Sequence, residues 1–154
     1  MNAYSLGLAL HAMAAVVWVG GMFFAYMSLR PVAATLLPPP QRLPLWSGVF
    51  GRFFPWVWAA VILLPLSGYF LIFQVWGGMG GAPLRVHLMN GLAVVMITIF
   101  AFVFFGPYRR LQRAVATEAW PEAGAALAVI RRWVGINLLL GLLVVAIAVG
   151  GRYA

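Results

Sequence analysis

Residues 4–29 read YSLGLALHAMAAVVWVGGMFFAYMSL, a run of apolar and small side chains with no acidic or basic group except His11. A helix of this length crosses the hydrocarbon core of a bilayer, which takes about 20 apolar residues at roughly 1.5 Å each. The stretch is therefore predicted to span a membrane. An imidazole in such a helix costs free energy unless it is hydrogen-bonded, holds a ligand or lies close enough to the interface to reach water. His11 is thus the first candidate functional residue, and the one other histidine, His87, is the second.

The composition agrees that lipid is the solvent. The chain is 65% hydrophobic and 8% charged, whereas about a quarter of the residues of an ordinary soluble domain are charged. It has no cysteine, which excludes disulfides, thiolate metal sites and cysteine nucleophiles. The net charge of +8 comes from arginine alone. On a membrane protein such an excess marks loops that face anionic lipid, and nucleic acid is not an expected partner. Glu118 and Glu122 are the only acids, so no carboxylate relay through the membrane is available and a proton-coupled pump is disfavoured. No positive segment precedes the first apolar run, which favours a retained first helix over a cleaved signal peptide and keeps residues 1–154 as the mature chain.

Four apolar segments follow one another: Tyr4–Leu29, Trp56–Trp76, Leu84–Phe105 and Trp133–Gly150. Each is long enough to span, and together they predict an all-α, integral membrane four-helix bundle forming a single domain. Arg30, Arg42 and Arg52 fall in the link 30–55, and Arg109, Arg110, Arg113, Arg131 and Arg132 in the link 106–132, while Arg85 and Arg152 fall on the other side. The positive-inside rule makes both arginine-rich links cytoplasmic and places the two termini in the periplasm, with the arginines against anionic lipid. An acidic partner protein could use the same cluster. The prolines from Pro31 to Pro44 predict an extended middle for the first link, with 46–54 along the interface and a new helix starting at Pro55. Pro65, Ser67 and Gly68 predict a kink in the second span, which either leaves room for a ligand or reflects plain packing. The link GGMGGAPLR makes spans two and three antiparallel neighbours. After Trp120, Pro121 and Glu122 a helix is predicted to run directly through Arg131 and Arg132 into the fourth span. Tyr4, Trp46, Trp76, Tyr108, Trp133 and Tyr153 read as interfacial belts.

Spans one and three run in the same direction, so His11 and His87 enter the membrane at similar depth. In an up-down bundle these spans are diagonal, and neighbouring axes at about 8–10 Å make the diagonal roughly 11–14 Å. A haem iron held by two imidazoles needs a gap of about that order. Small residues flank both ligands: Gly7, Ala14 and Ala15 lie one turn from His11, and Asn90 and Gly91 one turn from His87. Arg85 stands beside the predicted pocket, placed to meet a propionate. Copper is the rival, because Met13 and Met89 follow the histidines at the same offset and thioether with imidazole suits Cu(I). Residues two apart on a helix point to nearly opposite faces, however, so Met13 shares a metal with His11 only if the helix end unwinds, and Met79 in the glycine-rich link could substitute. Hydrogen bonding to a carbonyl or hydroxyl near headgroup water is the simplest account of either histidine alone. Haem b, serving electron transfer or redox chemistry, is preferred to copper because both imidazoles can point inward without distorting a helix, and a purely structural membrane subunit is the third reading. Either cofactor calls for a redox partner or a periplasmic copper protein, and Ala146 with Gly150 gives a weak signal for self-association. Asn137 and Thr98 read as helix-to-helix hydrogen bonding.

At ALHAMAAVVWVGGMFF with Leu29, Arg30 and Pro31, and again at RVHLMNGL and FGPYRRLQRAV, the chain resembles the CopD family of bacterial inner-membrane proteins. The resemblance implies copper resistance or uptake across the inner membrane, with histidine and methionine as ligands; His11 and His87 match. The first span, through His11, Trp18 and Gly20, is also similar to HemJ-type membrane haem proteins, which implies a membrane oxidoreductase if haem is bound.

Overall fold

The computed structural model describes residues 2–151, so Arg152 and Tyr153 lie outside the described residues. The chain folds as six α-helices in four long rods, with no strand among the described residues. Helix α1 (Ala3–Phe24) starts on an Asn2 cap, whose side chain accepts the Ser5 N–H at 2.8 Å. It continues through one π-helical stretch, Ala25–Leu29, into α2 (Arg30–Leu36). The second rod is α3 (Pro39–Trp76); the third is α4 (Leu84–Phe105) followed at Gly106 by α5 (Pro107–Ala116); the fourth is α6 (Trp120–Gly150). All four are long and apolar enough to cross a bilayer.

The first link differs from its prediction. Only Leu37 and Pro38 are extended, and α3 then runs unbroken through Pro44, Pro55 and Pro65. The reason is local. Pro39 and Pro40 occupy the first turn, where a missing N–H costs nothing. Further along, Trp46, Phe50, Phe54 and Trp58 recur every fourth residue, and Phe54 and Trp58, on either side of Pro55, both pack on Phe100, which keeps the helix going across the proline. Neighbouring helices sustain prolines in membrane helices in the same way. The rod ends on Gly77, whose φ of 70° is the left-handed closure that favours glycine. α6 runs through Arg131 and Arg132 as its pattern predicts.

Helix α1 lies along α3, α4 lies along α6, and α6 also touches α1 and α3, leaving α1 and α4 diagonal. Between α3 and α4 the contact is made by rings. Phe100 meets Trp58 edge-on with centroids 5.0 Å apart and Phe54 at 5.4 Å, while Tyr108 stands at 80° to Phe54 with centroids 4.8 Å apart. Trp18 reaches Phe100 across the diagonal at 6.3 Å. Amphipathic α5 closes the arginine-rich end: Tyr108, Leu111 and Ala114 face inward, and Arg109, Arg110 and Arg113 face out.

Leu111 is fully buried where α5 meets the bundle. Leu111→Ala is expected to destabilise the protein by about 2–5 kcal/mol through the cavity it leaves, while Arg110→Ala stays within about 0.5 kcal/mol of wild type. Thermal unfolding in detergent micelles compares the two.

Candidate functional site

One stripe of α1 faces the interior. Gly7, Ala14, Trp18 and Met22 are buried on it, and their offsets of three, four, seven and eleven from His11 place His11 on the same stripe. The imidazole is half-buried. Opposite it α3 presents Ser67 and Gly68. His11 Nδ1 lies 2.9 Å from Ser67 Oγ. At Gly68 a side chain would begin 3.1 Å from His11 Cε1, so the absence of a Cβ lets the ring lie against the α3 backbone.

The hydrogen bonds fix the tautomer. Ser67 Oγ bonds back to the carbonyl of Leu63 one turn earlier, a common arrangement for serine within a helix. A hydroxyl has a single proton. With that proton given to Leu63, Ser67 Oγ accepts from His11, so Nδ1 carries the imidazole hydrogen and Nε2 keeps its lone pair. Metal-binding histidines share this pattern: one ring nitrogen donates to a protein oxygen, which orients the ring and leaves the other nitrogen basic.

The remaining predicted site residues are dispersed. His87 lies on an exposed face of α4, and no hydrogen bond joins it to His11 among the described residues. Arg85 donates from Nη1 to the carbonyl of Gly151 at 2.7 Å, closing the end of α6; this is a favourable place for a cation, because the last carbonyls of a helix lack partners. Asn90 Oδ1 accepts from the Tyr69 hydroxyl at 2.9 Å, a link between α4 and α3. Gly91 is exposed, Ala14 is buried and Ala15 is half-buried. Met13 is 57% exposed on the outer side of α1, as its two-residue offset from His11 requires. Met79 and Met89 are half-buried, whereas Met22 and Met96 are buried in the core. Among the described residues no group of three or more histidine, aspartate or glutamate side chains could hold a metal.

Sequence reading passed over Ser67 and Gly68 as the histidine's partners, taking them only as kink residues. A polar residue beside a glycine at the depth of an in-span histidine was the available signal. The fold is a four-span helical membrane bundle with an inward-facing imidazole near one end. The family described as copper resistance protein D matches residues 47–150, more than half of the chain, and the chain belongs to this CopD family. It is a multi-pass protein of the bacterial inner membrane. The match takes in Ser67, His87 and α3 from its third turn onward, and lies beyond α1 with His11. No curated protein and no solved structure matches this chain.

In ¹⁵N spectra of ring-labelled protein, His11 is expected to show a protonated Nδ1 and an unprotonated Nε2. Ser67→Ala should mix the tautomers and lower stability by about 0.5–1.5 kcal/mol, the net worth of one hydrogen bond to a half-buried ring. A protonated Nε2 in the wild type would contradict the assignment.

Proposed function

We propose that this chain binds copper and passes it across the inner membrane, with His11 Nε2 as the entry ligand at the periplasmic end. The single observation that carries the reading is the hydrogen bond from His11 to Ser67, which orients the imidazole and leaves its second nitrogen free for a metal. Imidazole and thioether suit Cu(I), and the family's description links the chain to copper. Met22 lies on the same stripe as His11, three turns or about 16 Å further along. It is too far to share one ion with His11 and is placed to receive the ion deeper in the bundle. Met96 is the second buried thioether. Met13 faces outward and takes no part, while Met79 and Met89, at the same end as His11, are the candidate co-ligands. The arginine asymmetry supports the orientation, with the arginines of α5 and of the two arginine-rich links against anionic cytoplasmic lipid. A periplasmic copper protein is the donor this orientation calls for.

Haem b would require His11 and His87 on one iron, and the exposed setting of His87 gives that arrangement no support. Copper is therefore the reading kept.

Competition titration of the purified protein with a chromogenic Cu(I) chelator tests it. His11→Ala is expected to weaken Cu(I) binding about tenfold or more, equivalent to about 1.4 kcal/mol, and Met13→Leu to leave it unchanged. Unaltered Cu(I) affinity in His11→Ala would overturn the assignment. A Soret band in the purified protein, lost in either histidine variant, would favour haem.

A further inference from the structure

Helices α5 and α6 pack against each other as a hairpin through the turn 117–119, and a groove of about 580 Å³ lies between them. On α5 its wall is the row Pro107, Arg110, Arg113 and Thr117, at the three- and four-residue offsets that share one face of a helix. On α6 Glu122, Ala126 and Val129 make the facing row, at offsets of the same kind. The two helices run in opposite directions, and Pro107 follows directly on the span α4. Pro107 and Val129 therefore lie at the end nearest the bilayer, the two arginines come next, and Thr117 with Glu122 lies furthest out. The groove is graded from apolar to cationic to anionic in the direction that leaves the membrane.

The polar groups of the groove also divide by hydrogen-bonding role. A guanidinium only donates. Arg113 engages its Nε with the carbonyl of Arg109 at 3.3 Å, which steadies the group and leaves the Nη donors for a ligand. Thr117 Oγ1 donates to the carbonyls of Arg113 and Ala114, at 3.1 and 3.4 Å. A hydroxyl has one proton, so toward the groove this oxygen accepts. The ionised carboxylate of Glu122 accepts as well. What fills the groove must therefore carry an anion at the level of the arginines and, about one helical turn or 5–6 Å further out, a cation with N–H groups to donate. A purely anionic head group meets the first demand alone, and a quaternary ammonium brings the charge without the N–H.

We propose that the groove between α5 and α6 binds one phospholipid with a primary ammonium head group, the chemistry of phosphatidylethanolamine. Arg110 and Arg113 hold its phosphate by charge-assisted hydrogen bonds, which are roughly twice as strong as neutral ones. The ammonium donates to Glu122 and to Thr117 Oγ1, while the glycerol and the start of the acyl chains lie against Pro107 and Val129. The site is at the opposite end of the bundle from His11 and is independent of copper binding.

The test uses the full chain, delipidated in detergent and offered dioleoyl phosphatidylethanolamine, phosphatidylglycerol and phosphatidylcholine in equal amounts, with the bound lipid counted by native mass spectrometry. Phosphatidylethanolamine is expected to be retained about fivefold over phosphatidylcholine, whose trimethylated head carries the same charge with no N–H, the ratio of one hydrogen bond. It should also be retained above phosphatidylglycerol. Glu122→Gln should cut the preference over phosphatidylcholine to about twofold or less, because the remaining acceptor is neutral. The double variant Arg110→Ala, Arg113→Ala should weaken all three lipids together. Equal retention of phosphatidylethanolamine and phosphatidylcholine by the wild type, phosphatidylglycerol retained above both, a preference untouched by Glu122→Gln, or lipid binding untouched by the double variant would each overturn the proposal. Arg110, Arg113 and Glu122 are exposed, so the variants keep the fold, and the wild-type ratios decide on their own if one does not.

Discussion

Two ladders of aromatic side chains hold this bundle apart and together. Trp46, Phe50, Phe54 and Trp58 climb α3 at four-residue spacing, and Phe100, Phe104 and Tyr108 climb from α4 into α5 at the same spacing. Residues four apart share one face of a helix, so each run forms a continuous wall, and the walls interlock edge to face at centroid distances such as 5.4 Å between Trp58 and Phe104. Inside a bilayer the hydrophobic effect gives little reason for apolar helices to associate, so packing itself must supply the attraction. Aromatic rings supply it over a large area. They also set α3 and α4 further apart than the small-residue contacts set α1 and α3.

That difference in spacing shapes the surroundings of His11 and of Asn137. Along the narrow α1–α3 seam the absence of a side chain at Gly68 lets the His11 ring reach the α3 backbone, where Ser67 takes its hydrogen. The seam brings the imidazole to the one hydroxyl that sets its tautomer; the exposed ring of His87 has no such partner among the described hydrogen bonds. Toward the middle, where Trp18 and the Phe ladder spread the helices, the packing leaves space beside Asn137. The two ends of the molecule also differ chemically. Arg85 is drawn to the carbonyl end of α6, whereas the arginines of α5 stay exposed, and Arg109 lies over Phe104 and Phe105 at 5.7 and 5.5 Å. Stacked in this way, a guanidinium shelters aromatic surface and keeps its charge for its surroundings.

The membrane bundle was readable because its cause is additive. Each apolar run is long enough by itself to cross the bilayer, and the uninterrupted path of α6 through Arg131 and Arg132 follows from its helical pattern on both sides. The first link was misread because proline rules are local: Pro31 to Pro44 argue for extension only until packing outweighs them, and the ladder across Pro55 does so. His11 was legible as the imidazole of the first span, with the small residues Gly7 and Ala14 one turn away. Its partner was not, because depth alone pairs it with any span. His87 satisfied the depth criterion, yet its helix turns it outward.

The sequence by itself determined that the chain lives in lipid, crosses it four times and carries one imidazole, His11, within its first span, because hydropathy and helical length are properties of a segment alone. Only the tertiary structure decided that this imidazole meets Ser67 and Gly68, that Arg85 closes α6 and that Asn137 donates to the Met96 carbonyl. Those are questions of helix rotation and of the distance between axes. Both are set by how side chains from separate rods fill the space between them, and no single rod contains that information.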